Sequence, residues 1–480
     1  MGPHQKTMTN SELVFIPSPG AGHLPPTVEL AKLLLRRHHR LSITIIIMKA
    51  PFGGGAYDTA KLDSTPRLRC VEIPSDDSTA ALISPTAFLT AFIDHHKPHV
   101  RNIVRESIAD PGGTVRLAGF VVDMFCVDMV DVANEFGAPT YAYFTSGAAM
   151  LGLMFHLQAK RDDDNLDVTE LDKNSRSVIS VPSYINPVPV NVLLDVLFDK
   201  NGAKMFLDLA KRFRETKGII VNSFRELESH AIEVLSDDPD IPPVFPVGPI
   251  LNLNSTTDDG KVDDIMTWLD EQPERSVVFL CFGSMGTFPE EQIREIASAI
   301  ESGGHRFLWS LRRPSSKEKM ESPKEYEDPG EVLPEGFLER TSGVGRVIGW
   351  APQLMVLSHR SVGSFVSHCG WNSTLESIWC GVPIAAWPMY AEQQTNAFQL
   401  VSEAGIAAEV RMDYRTNMKP GGEQMIVTAE EIERGIRRVM SDGEIKRKAE
   451  EMKEKSRLAV SEGGSSYDSI GDFIHHVMNE

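Results

Sequence analysis

The stretch LVFIPSPGAGHLPPTVELAKLLLRRHHRLSITIIIM, residues 13–48, decides the fold. Residues 13–16 are a short continuous apolar run, suited to a strand covered on both faces. Residues 17–23 are dense in proline and glycine, which marks a loop. Pro25 and Pro26 open a helical stretch, where a missing amide costs nothing, and Ala31, Leu34 and Leu35 supply its apolar side. Residues 41–48 are rich in β-branched side chains and read as a second buried strand. Strand, loop, helix and strand make a βαβ unit with parallel strands.

Similar apolar runs recur at residues 117–122, 140–144 and 218–221. Prolines then stand at 239, 242, 243, 246 and 249, followed by the polar stretch 252–259. That proline density predicts an interdomain linker in place of a helix or central strand. Beyond it the runs restart at 276–282, 307–311, 344–348, 361–367 and 382–387, while the charged segment 312–331 reads as a mobile surface loop. No tandem repeat appears. The expected architecture is α/β, with two Rossmann-like, doubly wound parallel-sheet domains facing a cleft. The first spans residues 1–245, the linker 246–262 and the second 263–464.

Composition narrows the function. With 480 residues, 41% hydrophobic and 24% charged, the chain can build large cores, and its net charge of −19 argues against nucleic acid or an anionic membrane as the main partner. No apolar run approaches the ~18 residues of a membrane helix, and the polar residues 1–10 lack a secretory leader, so no integral membrane association is expected. Lys6 stands where a myristoylation signal needs Ser or Thr. Five cysteines without a Cys-x-x-Cys suggest neither a disulfide framework nor a thiolate zinc site. Cys126, Cys281 and Cys369 lie in or beside apolar runs, as buried reduced thiols would, and a cytoplasmic location is expected.

In parallel α/β sheets, ligands bind beyond the C-terminal strand ends. His23 follows the first strand and Asp123 ends the run 119–122, so both should open on one crevice. A carboxylate bonded to one imidazole nitrogen fixes the tautomer and raises the basicity of the other, making a general base. The bland alternative is that each residue caps the helix after it. Gly20-Ala21-Gly22 begins a dinucleotide fingerprint, but Pro25 replaces the third glycine and Lys49 follows the second strand where an acid is needed. Gly53-Gly54-Gly55 lacks the Lys-Ser/Thr of a phosphate loop and reads as a flexible connection. The adjacent pairs His38-His39, His95-His96 and His475-His476 point about 100° apart on a helix and read as solvated faces, not chelates.

Residues 350–393 are the most informative. A strand at 361–367 runs into His368-Cys369-Gly370-Trp371-Asn372-Ser373-Thr374-Leu375-Glu376 and a helix stopping at Gly381. A helix N-terminus after a strand offers free amides and a positive dipole to a phosphate. Gly370 would allow close backbone approach, with His368 donating to phosphate oxygens. The alternative is a capping box, Ser373-x-x-Glu376, which explains the serine and glutamate without a ligand. It leaves His368, Trp371 and Asn372 unexplained. Gly283-Ser284 makes a second small-residue turn on the same sheet edge.

The segment WAPQLMVLSHRSVGSFVSHCGWNSTLESIWCGVPIAAWPMYAEQ, residues 350–393, resembles the signature box of plant UDP-sugar-dependent glycosyltransferases of secondary metabolism. The likeness extends through PSPGAGH, VVDMFC and FGS over nearly the whole chain. It implies the two-domain GT-B fold, with a C-terminal helix within residues 465–480 returning to the first domain. It further implies that Trp350 stacks on uracil and Ala351 pairs with its edge. Gln353 and Glu376 would hold the ribose; Ser284, His368, Asn372 and Ser373 the diphosphate. Trp371, Glu392 and Gln393 would contact the sugar, with Thr145 reaching it from the other domain. His23 resembles the catalytic base and Asp123 its partner.

The implied reaction transfers glucose from UDP-glucose to a hydroxyl of a small apolar acceptor in one inverting displacement, giving a β-glucoside. The helix dipole and His368 would stabilise the leaving UDP. No metal or other cofactor is expected, since Asp162-Asp163-Asp164 reads as a charged surface loop. Gln393 leans toward glucose, because relatives with histidine there tend to use galactose. Phe88, Phe92, Met124, Phe125, Ala148, Leu151, Tyr390, Ala391 and residues 187–192 are acceptor-side candidates, although most are apolar enough to be core. Flavonoids and other phenolics lead, with terpenoids or hormones next and nitrogen or carbon acceptor atoms open. The protein is expected to act as a monomer. A non-catalytic UDP-sugar binder would lack the His23–Asp123 pair, and a nicotinamide oxidoreductase would need the missing glycine and acid.

Overall fold

The computed structural model describes residues 10–20, 22–49, 65–74, 85–107, 115–253, 260–315, 322–417 and 424–479. Ala21, Gly53-Gly54-Gly55, residues 1–9 and parts of 252–259 and 312–331 lie outside these.

The first half holds β1 (Asn10–Ile16), α1 (Leu24–Arg37), β2 (Leu41–Met48), β3 (Leu68–Ile73), α2 (Pro85–Ser107), β4 (Val115–Asp123), α3 (Val130–Glu135), β5 (Thr140–Phe144) and α4 (Ala148–Asp164). After a two-residue ribbon of β6 (Val178–Ile179) and β7 (Val188–Pro189) come α5 (Lys200–Phe213), β8 (Gly218–Val221), α6 (Arg225–Asp237) and β9 (Val244–Pro246). Seven strands form one sheet, β3-β2-β1-β4-β5-β8-β9, and every pairing is parallel. The order reverses beside β1, the switch point where such sheets open a ligand crevice.

The second half holds α7 (Gly260–Asp270), β10 (Val277–Cys281), α8 (Glu290–Gly303), β11 (Arg306–Ser310), β12 (Arg312–Arg313), β13 (Lys324–Glu325), α9 (Phe337–Thr341), β14 (Gly345–Ile348) and α10 (Gln353–Leu357). Next come β15 (Val362–Ser367), α11 (Trp371–Cys380), β16 (Ile384–Ala386), α12 (Gln393–Gln399), β17 (Ala407–Glu409), α13 (Ala429–Ser441), α14 (Gly443–Val460) and α15 (Ser465–Asn479). Its sheet, β14-β11-β10-β15-β16-β17, is again wholly parallel. Helices cover both faces of each sheet, so the strands are apolar along their full length and not alternately.

The structure corrects several local expectations. The proline-rich stretch hides β9, an edge strand, where a missing amide breaks no interior ladder bond. With Pro246 in β9 and α7 starting at Gly260, both ends of the expected 246–262 linker are regular structure. β3 and β17, also at sheet edges, gave no signal because they are short or partly exposed. The segment expected as a mobile loop contains the antiparallel β12–β13 ribbon. Asp162, Asp163 and Asp164 end α4 and are not a loop; Asp162 and Asp164 pair with Arg161 and Lys160. His96 is no solvated face: it is 1% exposed and its Nδ1 donates to the Phe92 carbonyl at 2.7 Å. His476 sets its ring edge against Tyr141 and Phe245.

α15 returns to the first sheet. Ile470, Phe473 and Val477 share a core with Leu13, Tyr141 and Phe245. The Arg37 guanidinium sits 3.3 Å over the Tyr467 ring, and Arg116 donates to the Val477 carbonyl at 2.9 Å. All five thiols are free, with Cys126, Cys281 and Cys369 buried. Among the described residues, no helix is long and apolar enough to cross a membrane.

Candidate active site in the interdomain cleft

β1 and β4 are parallel neighbours, so both C-terminal ends emerge on one edge. Asp123, the last residue of β4, is 2% exposed; His23 occupies the N-cap position of α1. His23 Nδ1 lies 2.9 Å from Asp123 Oδ2. The capping alternative fails for His23, whose side chain caps nothing, but holds for Asp123: its other oxygen accepts from the Phe125 amide at 3.1 Å. One carboxylate thus fixes both a turn and an imidazole.

Thr145 at the end of β5 places Oγ1 3.1 Å from the same His23 nitrogen, and Phe125 turns its ring edge on the imidazole at 5.3 Å. The His23 side chain keeps 23% of its surface exposed, and the contacts from Asp123 and Thr145 both fall on Nδ1. Burial pulls its pKa down, but the Asp123 charge and hydrogen bond, with Glu392 across the cleft, leave it raised above 6.5.

The second domain faces this pair. Asn372 Nδ2 donates to the Gly22 carbonyl at 2.9 Å, bringing the N-terminus of α11 against the His23 loop. α11 starts at Trp371 with Gly370 as N-cap, so Ser373 is inside the first turn and the capping-box alternative is overturned. Ser373 Oγ instead accepts from Gln353 Nε2 at 2.8 Å, and the same nitrogen reaches Glu376 Oε2 at 2.7 Å. Burial pushes the Glu376 carboxyl up to about 7.

His368 is 6% exposed, and burial brings it down to about 4, so the ring is neutral and offers one N–H. A Cβ on Gly283 would lie 2.7 Å from its Nε2, and one on Gly370 2.6 Å. A side chain at either glycine would therefore meet the His368 ring. Cys369 and Ala391 both adopt left-handed φ, at 61° and 57°, each turning a strand end into the next helix. Such strain persists where the surroundings over-determine it, and here Asn396 braces the Cys369 carbonyl at 3.0 Å.

Trp350 is 49% exposed, an open aromatic face beside the buried Ala351, and its amide donates to Glu325. Ser284 is exposed, in the turn after β10. Glu392, the N-cap residue of α12, is raised by burial and opposed by the His23 charge. Gln393 Oε1 accepts from the amides of Met389 and Tyr390 at 2.9 and 3.0 Å. Trp371 is anchored at the domain boundary. It is 3% exposed and the indole N–H donates to the Asn222 carbonyl at 2.7 Å, so the ring is a wedge between domains.

A family described as UDP-glucoronosyl and UDP-glucosyl transferase matches residues 170–443. The chain belongs to the UDP-glycosyltransferases. It is 67% identical over 98% of its length, and 99% of the relative's, to UDP-glycosyltransferase 71E1 of Stevia rebaudiana. UDP-glucose flavonoid 3-O-glucosyltransferase 6 of Fragaria ananassa is 54% identical over 98% of this chain and 99% of its own. The solved Medicago truncatula UGT71G1, complexed with UDP-glucose, superposes at a TM-score of 0.85 with 44% identity, covering 98% of both chains. The fold is GT-B, and the UDP-glycosyltransferase works on a UDP-sugar and a small-molecule acceptor.

On the acceptor side of this UDP-glycosyltransferase, the candidates divide. Phe92, Ala148 and Leu151 are at most 1% exposed and are core, a correction whose reason is that they present no surface to a ligand. Phe88 and Met124 are nearly buried, at 9% and 7%. Phe125 and Tyr390 are half-buried, and Ala391 is exposed near Glu392. Of residues 187–192, Val188, Val190 and Val192 are buried, and Asn191 bonds to the second domain. Beside Phe125 lies a cavity of about 470 Å³ between α2 and α5, walled by Leu89, Ile93, Met205 and Leu209 and rimmed by Asp128 and Arg212. Leu89 lies between the expected Phe88 and Phe92, but Ile93, Met205 and Leu209 were missed. The i, i+4 pairs Leu89–Ile93 and Met205–Leu209 were the signal, but helical spacing alone does not separate a cavity wall from a core face.

Proposed function

We propose that this UDP-glycosyltransferase transfers glucose from UDP-glucose to a hydroxyl of a phenolic acceptor, flavonoids foremost, with inversion to a β-O-glucoside. His23 takes the acceptor proton at Nε2 as the oxygen attacks the anomeric carbon and the bond to UDP breaks. Asp123 holds the tautomer with Nδ1 protonated and stabilises the imidazolium that forms. The leaving diphosphate is stabilised by the α11 N-terminus, the neutral His368 N–H and the Ser373 hydroxyl, with no metal assigned a part. Gln353 and Glu376 take the ribose, Trp350 and Ala351 the uracil, Glu392 and Gln393 the sugar.

The observation that carries this reading is the 2.9 Å His23–Asp123 contact at the strand-end edge facing α11. The flavonoid glucosyltransferase name of the Fragaria relative and the UDP-glucose in the Medicago structure support the donor and acceptor class. The test is UDP release from UDP-glucose with a panel of plant phenolics, native against His23→Ala, with the anomeric configuration of the product read by NMR. Release that needs both acceptor and His23, giving a β-glucoside, supports the reading. Undiminished release from His23→Ala, or an α-linked product, overturns it.

A further inference from the structure

Glu228 is a buried carboxylate that the reaction above does not use. It is 3% exposed, and the helix bends at it: inside α6 its φ is −130° and ψ 41°. Both oxygens are saturated with donors. Oε2 accepts from the Ala148 amide at 2.8 Å and from the Ser223 hydroxyl; Oε1 accepts from the Ala149 amide at 2.9 Å and from Gln399 Nε2 at 3.0 Å. A buried anion with four donors is held in one place, because moving it would strand donors as well as the charge.

The elements so joined matter. α4 has Gly147 as N-cap and no side-chain cap of its own, so Glu228 supplies the cap and the charge that its N-terminus favours. α4 follows directly on Thr145, which touches His23. Gln399 is the last residue of α12 in the other domain, and that helix begins at Glu392 and Gln393. The packing is tight enough that a Cβ on Gly147 would lie 2.8 Å from Trp371 Cη2 and 2.9 Å from Glu228 Oε1.

We infer that Glu228 is a positioning residue that sets the spacing across the cleft between the His23–Thr145 edge of the first domain and the Glu392–Gln393 end of α12 in the second. It touches neither sugar nor acceptor. It acts through two rigid helices, one from each domain, whose other ends bear on the reacting groups. The activity arm of the test rests on the reaction proposed above; a second arm does not.

Two variants separate the cross-domain bond from the contacts inside the first domain. Gln399→Leu removes the bond and leaves both α4 amides on Glu228. Ser223→Ala removes a donor from Glu228 within the first domain and leaves the cross-domain bond. Gln399→Leu is expected to lower kcat about tenfold, with UDP affinity by calorimetry within about twofold of native, and Ser223→Ala to keep kcat within about twofold. An unchanged kcat in Gln399→Leu, or an equal loss in Ser223→Ala, overturns the inference. Amide exchange of the ligand-free protein is the second arm. Faster exchange over residues 148–155 and 393–399 in Gln399→Leu supports the link, and unchanged rates overturn it, even if native protein proves inactive with every acceptor tried.

Discussion

The His23 nitrogen that faces Asp123 at 2.9 Å also faces the Thr145 hydroxyl at 3.1 Å, so two residues from two strand ends bear on one atom. Thr145, which the family resemblance assigns to the sugar, thus also bears on His23. The arrangement fixes a pH dependence. His23 must be neutral to accept a proton, and its pKa is raised above 6.5, so kcat/KM falls as pH drops through that raised value. Asp123→Asn removes the charge that raises it. The acid limb then moves to lower pH while the plateau drops about a hundredfold or more, as the tautomer is lost. A pH–rate profile of the two proteins checks both signs.

Glu376 predicts a proton linkage in donor binding. Free, its carboxyl is pushed up to about 7; hydroxyls donating to it on binding would lower that value and release a proton. UDP should therefore bind more tightly as pH rises toward 7. Calorimetry in buffers of different ionisation enthalpy should register proton release, and Glu376→Gln should abolish it while weakening binding.

In the proposed reaction His368 is a neutral donor, because burial holds its pKa near 4. His368→Ala is expected to lower kcat about 10–100-fold, comparable to removing one oxyanion donor. Gly283→Ala should approach the same loss, because a methyl there meets the ring and the residue sits at a φ of 73°. A chelator such as EDTA should leave the native rate unchanged, and a chelator-sensitive rate would refute the metal-free assignment.

The β15–α11 turn was legible because its chemistry is local: strand, glycine and helix lie within a few residues. The His23–Asp123 pair was legible because parallel neighbours present their C-terminal ends together. The anchoring of Trp371 was not legible, since nothing local says that its indole N–H meets Asn222 in the other domain. Glu228 was invisible for a related reason, as a glutamate in a polar helical stretch looks like any solvated residue until the fold brings four donors to it. β9 was lost because proline density argues against central strands but not against edges.

Phe473 offers a stability test. It is fully buried and sets its ring against Tyr141 at 5.2 Å and Phe245 at 5.5 Å. Phe473→Ala should cost about 3–5 kcal/mol, read by urea unfolding, and should be felt by the first domain although it changes the last helix.

That return of α15 also has a consequence for biosynthesis. Domains usually fold in order as the chain leaves the ribosome. Here one face of the first sheet lacks Ile470, Phe473 and Val477 until the second domain has been made. The half that carries His23 is made first and completed only after the second, so a chain cut short inside α14 would carry both sheets with the first lacking the part of its cover that lies beside α1.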